Sequence, residues 1–209
     1  MNYIILLFAY LIGSTPSALI IGKVFYNGSD IRKMGSGNQG TTNMLRTLGF
    51  RAAIATAVFD VLAKGCIPTF ISVILYNNGY ISIFPLFIGM VAAIGHAFPI
   101  FAKFKGGKMV ATSVGILLPI DFRIFLLVAI LIIVLFIVTK MMSLSAFISL
   151  PIGYFIIAYF NKFNKVEWIL TACFFLVILL LHRKNIKLII QHKERKIDII
   201  SMLKTRFAK

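Results

Sequence analysis

Residues 124–139 read IFLLVAILIIVLFIVT, and this stretch decides the fold class. Its 16 residues contain no charged side chain, and only the final residue, Thr139, is polar. As an α-helix the stretch would be about 24 Å long at 1.5 Å per residue, close to the roughly 30 Å hydrocarbon core of a bilayer. A helix that is apolar on every side is typical of a segment buried in protein or in lipid.

The composition of the whole chain indicates that lipid is its solvent. Of 209 residues, 60% are hydrophobic and 13% are charged, and the mean hydropathy is +0.96. Soluble domains carry about 25% charged residues, so a soluble fold, disorder and a disulfide scaffold are excluded. In so apolar a chain, the net charge of +16 indicates membrane topology rather than nucleic-acid binding. Cys66 and Cys173 lie in separate apolar runs, which predicts two small apolar residues rather than a disulfide or a metal pair.

Seven apolar segments predict an all-α integral membrane protein with seven transmembrane helices, in one polytopic domain over residues 1–209. The segments cover residues 1–22, 52–76, 80–101, 109–119, 124–139, 144–160 and 166–181. The fourth segment would be a helix of only about 16 Å, too short to cross the membrane alone. No basic residue precedes Lys23, so the first segment is predicted to be a retained span rather than a secretory signal.

The basic residues predict the orientation in the membrane. With seven spans, 18 of the 22 Lys and Arg residues fall on one side, three fall on the other, and Lys64 lies within a span. Basic residues concentrate in cytoplasmic loops, so we expect the N-terminus outside and the C-terminus in the cytosol. Residues 183–209 are predicted to form a basic, solvated cytosolic tail that is attracted to lipid.

Three polar segments lie on the predicted cytosolic side, and the first reads DIRKMGSGNQGTTN over residues 30–43. Its glycines let backbone N–H groups turn inward, and its hydroxyl and amide side chains add donors, which is typical of an anion cradle. Arg32, Lys33 and Arg46 are predicted to converge on this loop, and a flexible polar linker is the alternative. The glycines are Gly35, Gly37 and Gly40, and the candidate donors are Ser36, Asn38, Thr41, Thr42 and Asn43.

The second polar segment reads GHAFPIFAKFKGGKMVAT over residues 95–112. Residues 106–108 (GGK) precede the short apolar segment, so free N–H groups, a helix dipole and an ammonium are predicted to face one phosphate. A nucleotide P-loop is excluded, because the pattern G-x4-G-K-[ST] does not tolerate Ala102 or Met109.

The third polar segment, residues 182–187 (HRKNIK), closes the last span. His182 and Asn185 are three residues apart and share a helix face, so they could orient or deprotonate a hydroxyl. A basic helix end anchored at the lipid headgroups is the alternative.

Three ionisable residues lie in apolar surroundings. Asp60 and Lys64 are spaced i, i+4, which predicts a salt bridge along one helix face or, alternatively, a transport site. His96 is either a hydrogen-bonded structural residue or a proton carrier.

These segments resemble the PlsY family of bacterial glycerol-3-phosphate acyltransferases. The resemblance runs through residues 13–16 (GSTP), 35–43, 60–65 (DVLAKG), 95–112 and 182–187. It implies a seven-helix fold in the plasma (inner) membrane with its active site on the cytosolic face. It also implies transfer of a fatty acyl group from acyl phosphate to the 1-hydroxyl of sn-glycerol 3-phosphate, which gives lysophosphatidic acid. The implied partners are the lipid bilayer and a soluble enzyme that produces acyl phosphate, with no nucleic acid.

Within this chemistry the residues take expected roles. The expected catalytic residues are Ser36, Arg46, Lys108, His182 and Asn185. The expected substrate-binding residues are Gly37, Asn38, Gly40, Asn43, His96, Lys105, Gly106, Gly107 and Thr112. The base is either His182 or the acceptor's own phosphate. No cofactor or metal is expected, because the chain has only six acidic residues and none of them lies in residues 95–112.

The chain departs from the family pattern at a few positions. Gln39 and Thr41 stand where the family usually has an apolar residue and Ala. The other departures are Lys184, Leu188 and His192.

A transporter and a non-catalytic scaffold are the two alternative function classes. A transporter for a phosphorylated metabolite should show an internal repeat with polar breaks near the midplane, whereas all three polar segments fall on one predicted face. If the protein were a non-catalytic scaffold, the phosphate-binding residue types of its three polar segments would have no function.

Overall fold

The structure is a computed structural model that describes residues 1–199, and its helices group into two compact units, Met1–Phe122 and Arg123–Lys209. The α-helices of the first unit are α1 (Asn2–Gly13), α2 (Ser17–Phe25), α3 (Thr41–Leu48), α4 (Phe50–Val58), α5 (Ile67–Asn77), α6 (Pro85–Ala97) and α7 (Val110–Leu117). A π-helical segment, Phe59–Cys66, joins α4 to α5 without a break. Single 3-10 turns cover Ile31–Lys33 and Ile100–Ala102.

The second unit follows along α8 (Phe122–Thr139), α9 (Met142–Phe160), α10 (Lys165–Leu181) and α11 (Arg183–Ile190). A capping box at Asn164 and Glu167 begins α10, and Tyr154 of α9 stacks on Phe174 of α10 with ring centroids 5.6 Å apart. The axes of α10 and α11 differ by 66°.

The prediction of an all-α integral membrane protein is confirmed. Five helical segments are long and apolar enough to cross a membrane, namely Asn2–Phe25, Phe50–Asn77, Pro85–Ala102, Phe122–Thr139 and Met142–Phe160. A sixth is added if the bent pair of α10 and α11 counts as one span. The predicted count of seven is not confirmed, because α7 has only eight residues and would be about 12 Å long. The orientation and the single polytopic domain stay predictions.

Close backbone contacts fix the packing of the first unit. A Cβ atom added to Gly13 would lie 1.9 Å from the carbonyl oxygen of Ala92, so α1 and α6 touch through their backbones. A Cβ on Gly115 of α7 would lie 2.0 Å from the carbonyl oxygen of Val61 in the π-helical segment. Small residues allow such contacts between membrane helices, and here they fix the position of α7 against the π-helical segment.

The beginning of the predicted basic tail is folded. Residues 183–190 form α11, and the Ile197 N–H donates to the carbonyl oxygen of Lys140 at 2.9 Å. The Lys140 ammonium also pairs with the carboxylate of Asp198. The part of this prediction that concerns residues 200–209 lies outside the described residues.

Candidate active site

The first loop, residues 30–43, begins directly after the 24-residue span Asn2–Phe25 and the short connection that follows it. Gly35 and Gly37 have φ angles of 57° and 72°, a left-handed conformation that disfavours residues with a side chain. Asp30 begins the 3-10 turn of this loop by accepting the Arg32 N–H at 3.1 Å. The glycines then reverse the chain towards α3.

Arg32 is engaged by its own turn. Its Nε donates to Asp30 Oδ1 at 2.9 Å and its Nη2 donates to Oδ2 at 2.7 Å. The Arg32 guanidinium lowers the pKa of the Asp30 carboxyl to about 2, and the Asp30 carboxylate raises the pKa of Arg32. Asp30 therefore engages one edge of the Arg32 guanidinium, and the convergence of Arg32 on an anion in this loop stays a prediction.

Asn43 braces the first loop from inside. Its Oδ1 accepts the Ser36 N–H at 2.9 Å, and its Nδ2 lies 3.0 Å from the carbonyl oxygens of both Met34 and Asn38. The side chain is buried and both of its polar atoms are used. Asn43 therefore positions the loop, and a direct contact between Asn43 and a substrate stays a prediction.

Other predicted residues of the first loop stand at its surface. Ser36 is exposed, and its Oγ accepts the Asn38 N–H at 3.4 Å. Gly40 is the N-cap of α3, and Arg46 extends from the last turn of the same helix with an exposed side chain. The structure thus leaves Ser36 and Arg46 at the surface of one short structural unit, where they can meet an anion.

The second loop, residues 103–109, is named here the glycine loop. Lys103, Phe104 and Met109 all have positive φ angles, so the chain is left-handed at both ends of the loop. Helix α7 begins only at Val110, and the Gly107 N–H donates to the carbonyl oxygen of His96 at 3.1 Å. The Gly107 N–H is therefore bonded rather than free, which corrects that part of the prediction, and left-handed Met109 separates the glycines from the helix.

The residues predicted around the glycine loop differ in their access to solvent. Lys105 is exposed, whereas Gly106 and Lys108 are half-buried. Thr112 is completely buried in the first turn of α7, and a Cβ added to Gly65 would lie 2.4 Å from its carbonyl oxygen. This burial argues against a direct contact between Thr112 and a substrate, and it leaves the lysines as the accessible cations of the loop.

Gln39 joins the two loops. Its side-chain Nε2 donates to the backbone carbonyl oxygen of Lys105, 66 residues along the chain. No role was predicted for Gln39. In the sequence it stood out only because the family usually has an apolar residue at this position. The contact brings the Ser36 loop and the Lys108 loop together within one compact unit.

His96 is buried and its Nδ1 lies 3.1 Å from the ammonium of Lys64. Asp60 and Lys64 form the predicted salt bridge, with 2.7 Å between Lys64 Nζ and Asp60 Oδ1. Of the two interpretations of His96 as a hydrogen-bonded structural residue or a proton carrier, this geometry favours the structural one.

The third predicted segment lies in the second unit, at the bend between α10 and α11. His182 is buried there, and its Nδ1 lies 2.8 Å from the carbonyl oxygen of Ile178. A carbonyl only accepts, so Nδ1 carries the proton of the neutral ring and Nε2 is the basic nitrogen. The ring packs edge-on against Phe147, with centroids 5.0 Å apart.

Asn185 lies one turn further, on α11. Its Nδ2 donates to Glu194 Oε1 at 2.7 Å, a partner that the sequence analysis did not identify. The Ser143 hydroxyl lies 3.5 Å from the same oxygen. Glu194 therefore fixes the amide plane of Asn185.

Candidate metal ligands were sought among residues 1–199. In this part of the chain no three His, Cys, Asp or Glu side chains are grouped as a metal site would require. Cys66 and Cys173 are both free thiols.

Comparison with known proteins identifies the family. The family model described as "Glycerol-3-phosphate acyltransferase" matches residues 3–192. A "Glycerol-3-phosphate acyltransferase" of Macrococcus caseolyticus is 44% identical over 195 residues, which cover 93% of this chain and 96% of that protein. A "Glycerol-3-phosphate acyltransferase 2" of Lactobacillus acidophilus is 42% identical over 205 residues, which cover 96% of this chain and 93% of that protein.

Solved structures agree with the sequence relatives. The crystal structure of PlsY (YgiH), an integral membrane glycerol 3-phosphate acyltransferase, in its glycerol 3-phosphate form matches with a TM-score of 0.82 and 29% identity, over 96% of this chain and 98% of that one. The lysophosphatidic acid form matches with a TM-score of 0.80 and 29% identity, over 96% and 97% of the two chains. The chain belongs to the PlsY family of integral membrane glycerol-3-phosphate acyltransferases.

Proposed function

We propose that the protein transfers a fatty acyl group from acyl phosphate to the 1-hydroxyl of sn-glycerol 3-phosphate, in phospholipid synthesis. The products are lysophosphatidic acid and inorganic phosphate. The observation that carries the proposal is the contact of Gln39 with the Lys105 carbonyl, which joins two anion-type loops in one unit. The related crystal structures are of the glycerol 3-phosphate and lysophosphatidic acid forms of PlsY, which supports the same acceptor and product here.

The reaction needs the protein to align the two substrates and to stabilise developing negative charge. It does not need a covalent acyl-enzyme intermediate. The glycerol oxygen attacks the acyl carbonyl, an oxyanion forms, and the bond to the phosphate oxygen then breaks. Phosphate is a good leaving group, so fixing two anionic substrates and stabilising the oxyanion supply most of the acceleration.

Phosphate binding is assigned to the first unit. In the proposal Ser36, Arg46 and Lys108 hold phosphate oxygens, because they are exposed or half-buried donors within or next to the two joined loops. The further expected contacts are Gly37, Asn38, Gly40, Lys105 and Gly106. Charge-assisted contacts of this kind are the strong hydrogen bonds in such a site.

Activation of the hydroxyl is assigned to His182 and Asn185. The Nδ1 contact with Ile178 makes Nε2 of His182 the basic nitrogen, as a general base requires. Glu194 fixes the amide of Asn185, and Asn185 would in turn orient the 1-hydroxyl of glycerol 3-phosphate. The acceptor's own phosphate is the alternative base. The proposed reaction uses no metal and no cofactor.

The proposed location is the plasma (inner) membrane, with seven membrane helices, the N-terminus outside and the active site on the cytosolic face. The support is the distribution of basic residues, 18 on one side and three on the other. A soluble enzyme that produces acyl phosphate is the proposed partner, since the donor has to be supplied at this face.

Cysteines that replace Lys33 and Lys162 test the orientation in the membrane. Labelling from outside intact cells should reach Lys162→Cys, and labelling of Lys33→Cys instead would contradict it.

The donor assay tests the proposal itself. Purified protein is given labelled glycerol 3-phosphate with acyl phosphate, acyl-CoA or acyl-carrier protein, each with and without EDTA. Acyl phosphate alone should support turnover, and EDTA should leave it unchanged. Full activity with acyl-CoA, or loss of activity in EDTA, would overturn the proposed donor and the metal-free reaction.

A further inference from the structure

A buried polar cluster inside the spans of the first unit takes no part in the proposed reaction. Asp60 and Lys64 are only 1% and 2% exposed, and Ser17 Oγ donates to Asp60 Oδ1 at 2.6 Å. Ionisable groups within membrane spans are costly to bury. Asp60 and Lys64 also lie in the π-helical segment Phe59–Cys66, and π-helical turns are frequently found at functional sites.

The ammonium of Lys64 determines which nitrogen of the His96 ring carries the proton. Its three N–H groups meet Asp60 Oδ1 at 2.7 Å, Ser17 Oγ at 3.0 Å and His96 Nδ1 at 3.1 Å. An ammonium only donates, so Nδ1 accepts and the ring proton resides on Nε2. The ion pair thereby determines both the tautomer and the orientation of the imidazole ring.

The opposite edge of the His96 ring touches the glycine loop. A Cβ atom added to Gly107 would lie 1.9 Å from His96 Nε2, and one added to Gly106 would lie 2.0 Å from the His96 carbonyl oxygen. The same carbonyl oxygen accepts the Gly107 N–H. His96 therefore contacts the two residues that precede Lys108, through its ring and through its backbone.

We propose that the buried Asp60–Lys64 ion pair, acting through His96, positions the Gly106–Gly107 backbone and so places Lys108 for phosphate binding. His96 is then a positioning residue rather than a substrate ligand. This inference rests on the proposed function for the role of Lys108. It gives the buried Asp60–Lys64 pair a function. A salt bridge that only neutralised the two charges would not explain why the chain carries them inside a membrane span.

The first test removes both charges at once. Replacing one partner would leave an unpaired buried charge, whereas a pair of apolar residues of similar volume is tolerated. The double variant Asp60→Leu/Lys64→Met should still fold, with a melting temperature lowered because the buried Ser17 hydroxyl and His96 Nδ1 lose their partners. Its KM for at least one phosphate-bearing substrate should rise about tenfold, the loss of one charge-assisted contact, while kcat changes less. Unchanged KM values for both substrates would overturn the inference.

Amide hydrogen exchange provides a measurement that is independent of activity. Exchange in residues 103–109 should be about tenfold faster in the double variant than in the wild type, because the Gly107 N–H loses the fixed orientation of its acceptor residue. Ser72→Ala is the matched control: its hydroxyl is buried in the same span and donates only locally, to Thr69 O at 2.7 Å. Equal exchange in all three proteins would overturn the inference. An inactive wild type with faster exchange in the double variant would overturn only the proposed function.

A double-mutant cycle tests the contact with His96. Gly107 does not have a positive φ, so Gly107→Ala is disfavoured by the ring rather than by the backbone. Gly107→Ala should reduce kcat/KM at least about 30-fold in the wild type but less than about threefold when His96→Ala has removed the ring. Equal losses in both backgrounds would overturn the role of His96.

Discussion

The first loop and the glycine loop are held in opposite ways. The first loop is braced by its own member Asn43, whose side chain bonds the Ser36 N–H and two carbonyl oxygens of the same loop. The glycine loop receives its support from elsewhere in the chain, from Gln39 at the Lys105 carbonyl and from His96 at the Gly107 N–H. A short polar segment can thus acquire a fixed shape from its own residues or from distant ones.

This difference has a consequence for mutation. The shape of the first loop should depend on residues within it, whereas the shape of the glycine loop should depend on residues that precede it in the chain by up to 66 positions. Variants of Asn43, of the loop lysines and of Gln39 therefore test the comparison at three levels of expected effect.

The largest effect is expected for Asn43→Ala. It removes the partners of the Ser36 N–H and of the Met34 and Asn38 carbonyls, and leaving these three part-buried groups unpaired together costs about 2–4 kcal/mol in the free energy of unfolding. A comparable cost in placing Ser36 corresponds to a loss of about 30- to 900-fold in kcat/KM. Thermal unfolding in detergent and steady-state kinetics measure both effects. Thr47→Ala, which removes only a local bond to the Asn43 carbonyl, is the control, and equal effects of the two variants would contradict internal bracing by Asn43.

The next effect compares two lysines of the glycine loop. Lys108→Ala should fold and lose about 10- to 150-fold in kcat/KM, because one charge-assisted contact is worth about 1.5–3 kcal/mol. Lys103→Ala should cost less, since Lys103 is exposed at the start of the loop and Lys108 is half-buried beside the glycines. The kinetics are measured at low and high salt. Equal, salt-sensitive losses would indicate general attraction to a basic face rather than a phosphate contact.

The smallest effect is expected for Gln39. Gln39→Leu removes the donor to the Lys105 carbonyl. Gln39 is buried but Lys105 is exposed, so water can bond the freed carbonyl, and kcat/KM should fall only about three- to tenfold. Gln39→Glu keeps the shape of the side chain but presents a carboxylate, which cannot donate to a carbonyl, and it should lose at least as much. Wild-type kinetics in Gln39→Glu would show that the contact does not support the glycine loop.

The sequence predicted the features that depend on composition and local spacing. Apolar stretches such as residues 124–139 predicted the membrane helices, and the i, i+4 spacing predicted the salt bridge between Asp60 and Lys64. The polar segments at 30–43 and 95–112 were recognised from residue types alone. Each of these features is encoded within a few turns of chain.

The features that the sequence did not predict depend on backbone geometry and long-range contact. Helix α7 begins at Val110, one residue after the start of the predicted segment 109–119, but the left-handed conformation of Met109 leaves no mark in residue type. The bond between Gln39 and the Lys105 carbonyl is likewise a tertiary contact, and no local pattern encodes it. Asn43 was recognised as polar, but only the structure shows that its amide is used within the loop.

Chemical rescue of Lys108 tests most directly the claim that the glycine loop binds a substrate phosphate. Lys108→Cys is made in a chain that lacks Cys66 and Cys173, the two free thiols. Alkylation with 2-bromoethylamine then restores an ammonium at nearly the original position, whereas iodoacetamide adds a neutral group of similar size. We expect the unmodified variant to be at least about tenfold impaired, aminoethylation to restore most of the activity, and glycerol 3-phosphate or acyl phosphate to slow the alkylation. Equal activity after either reagent, with no protection by either substrate, would contradict the account.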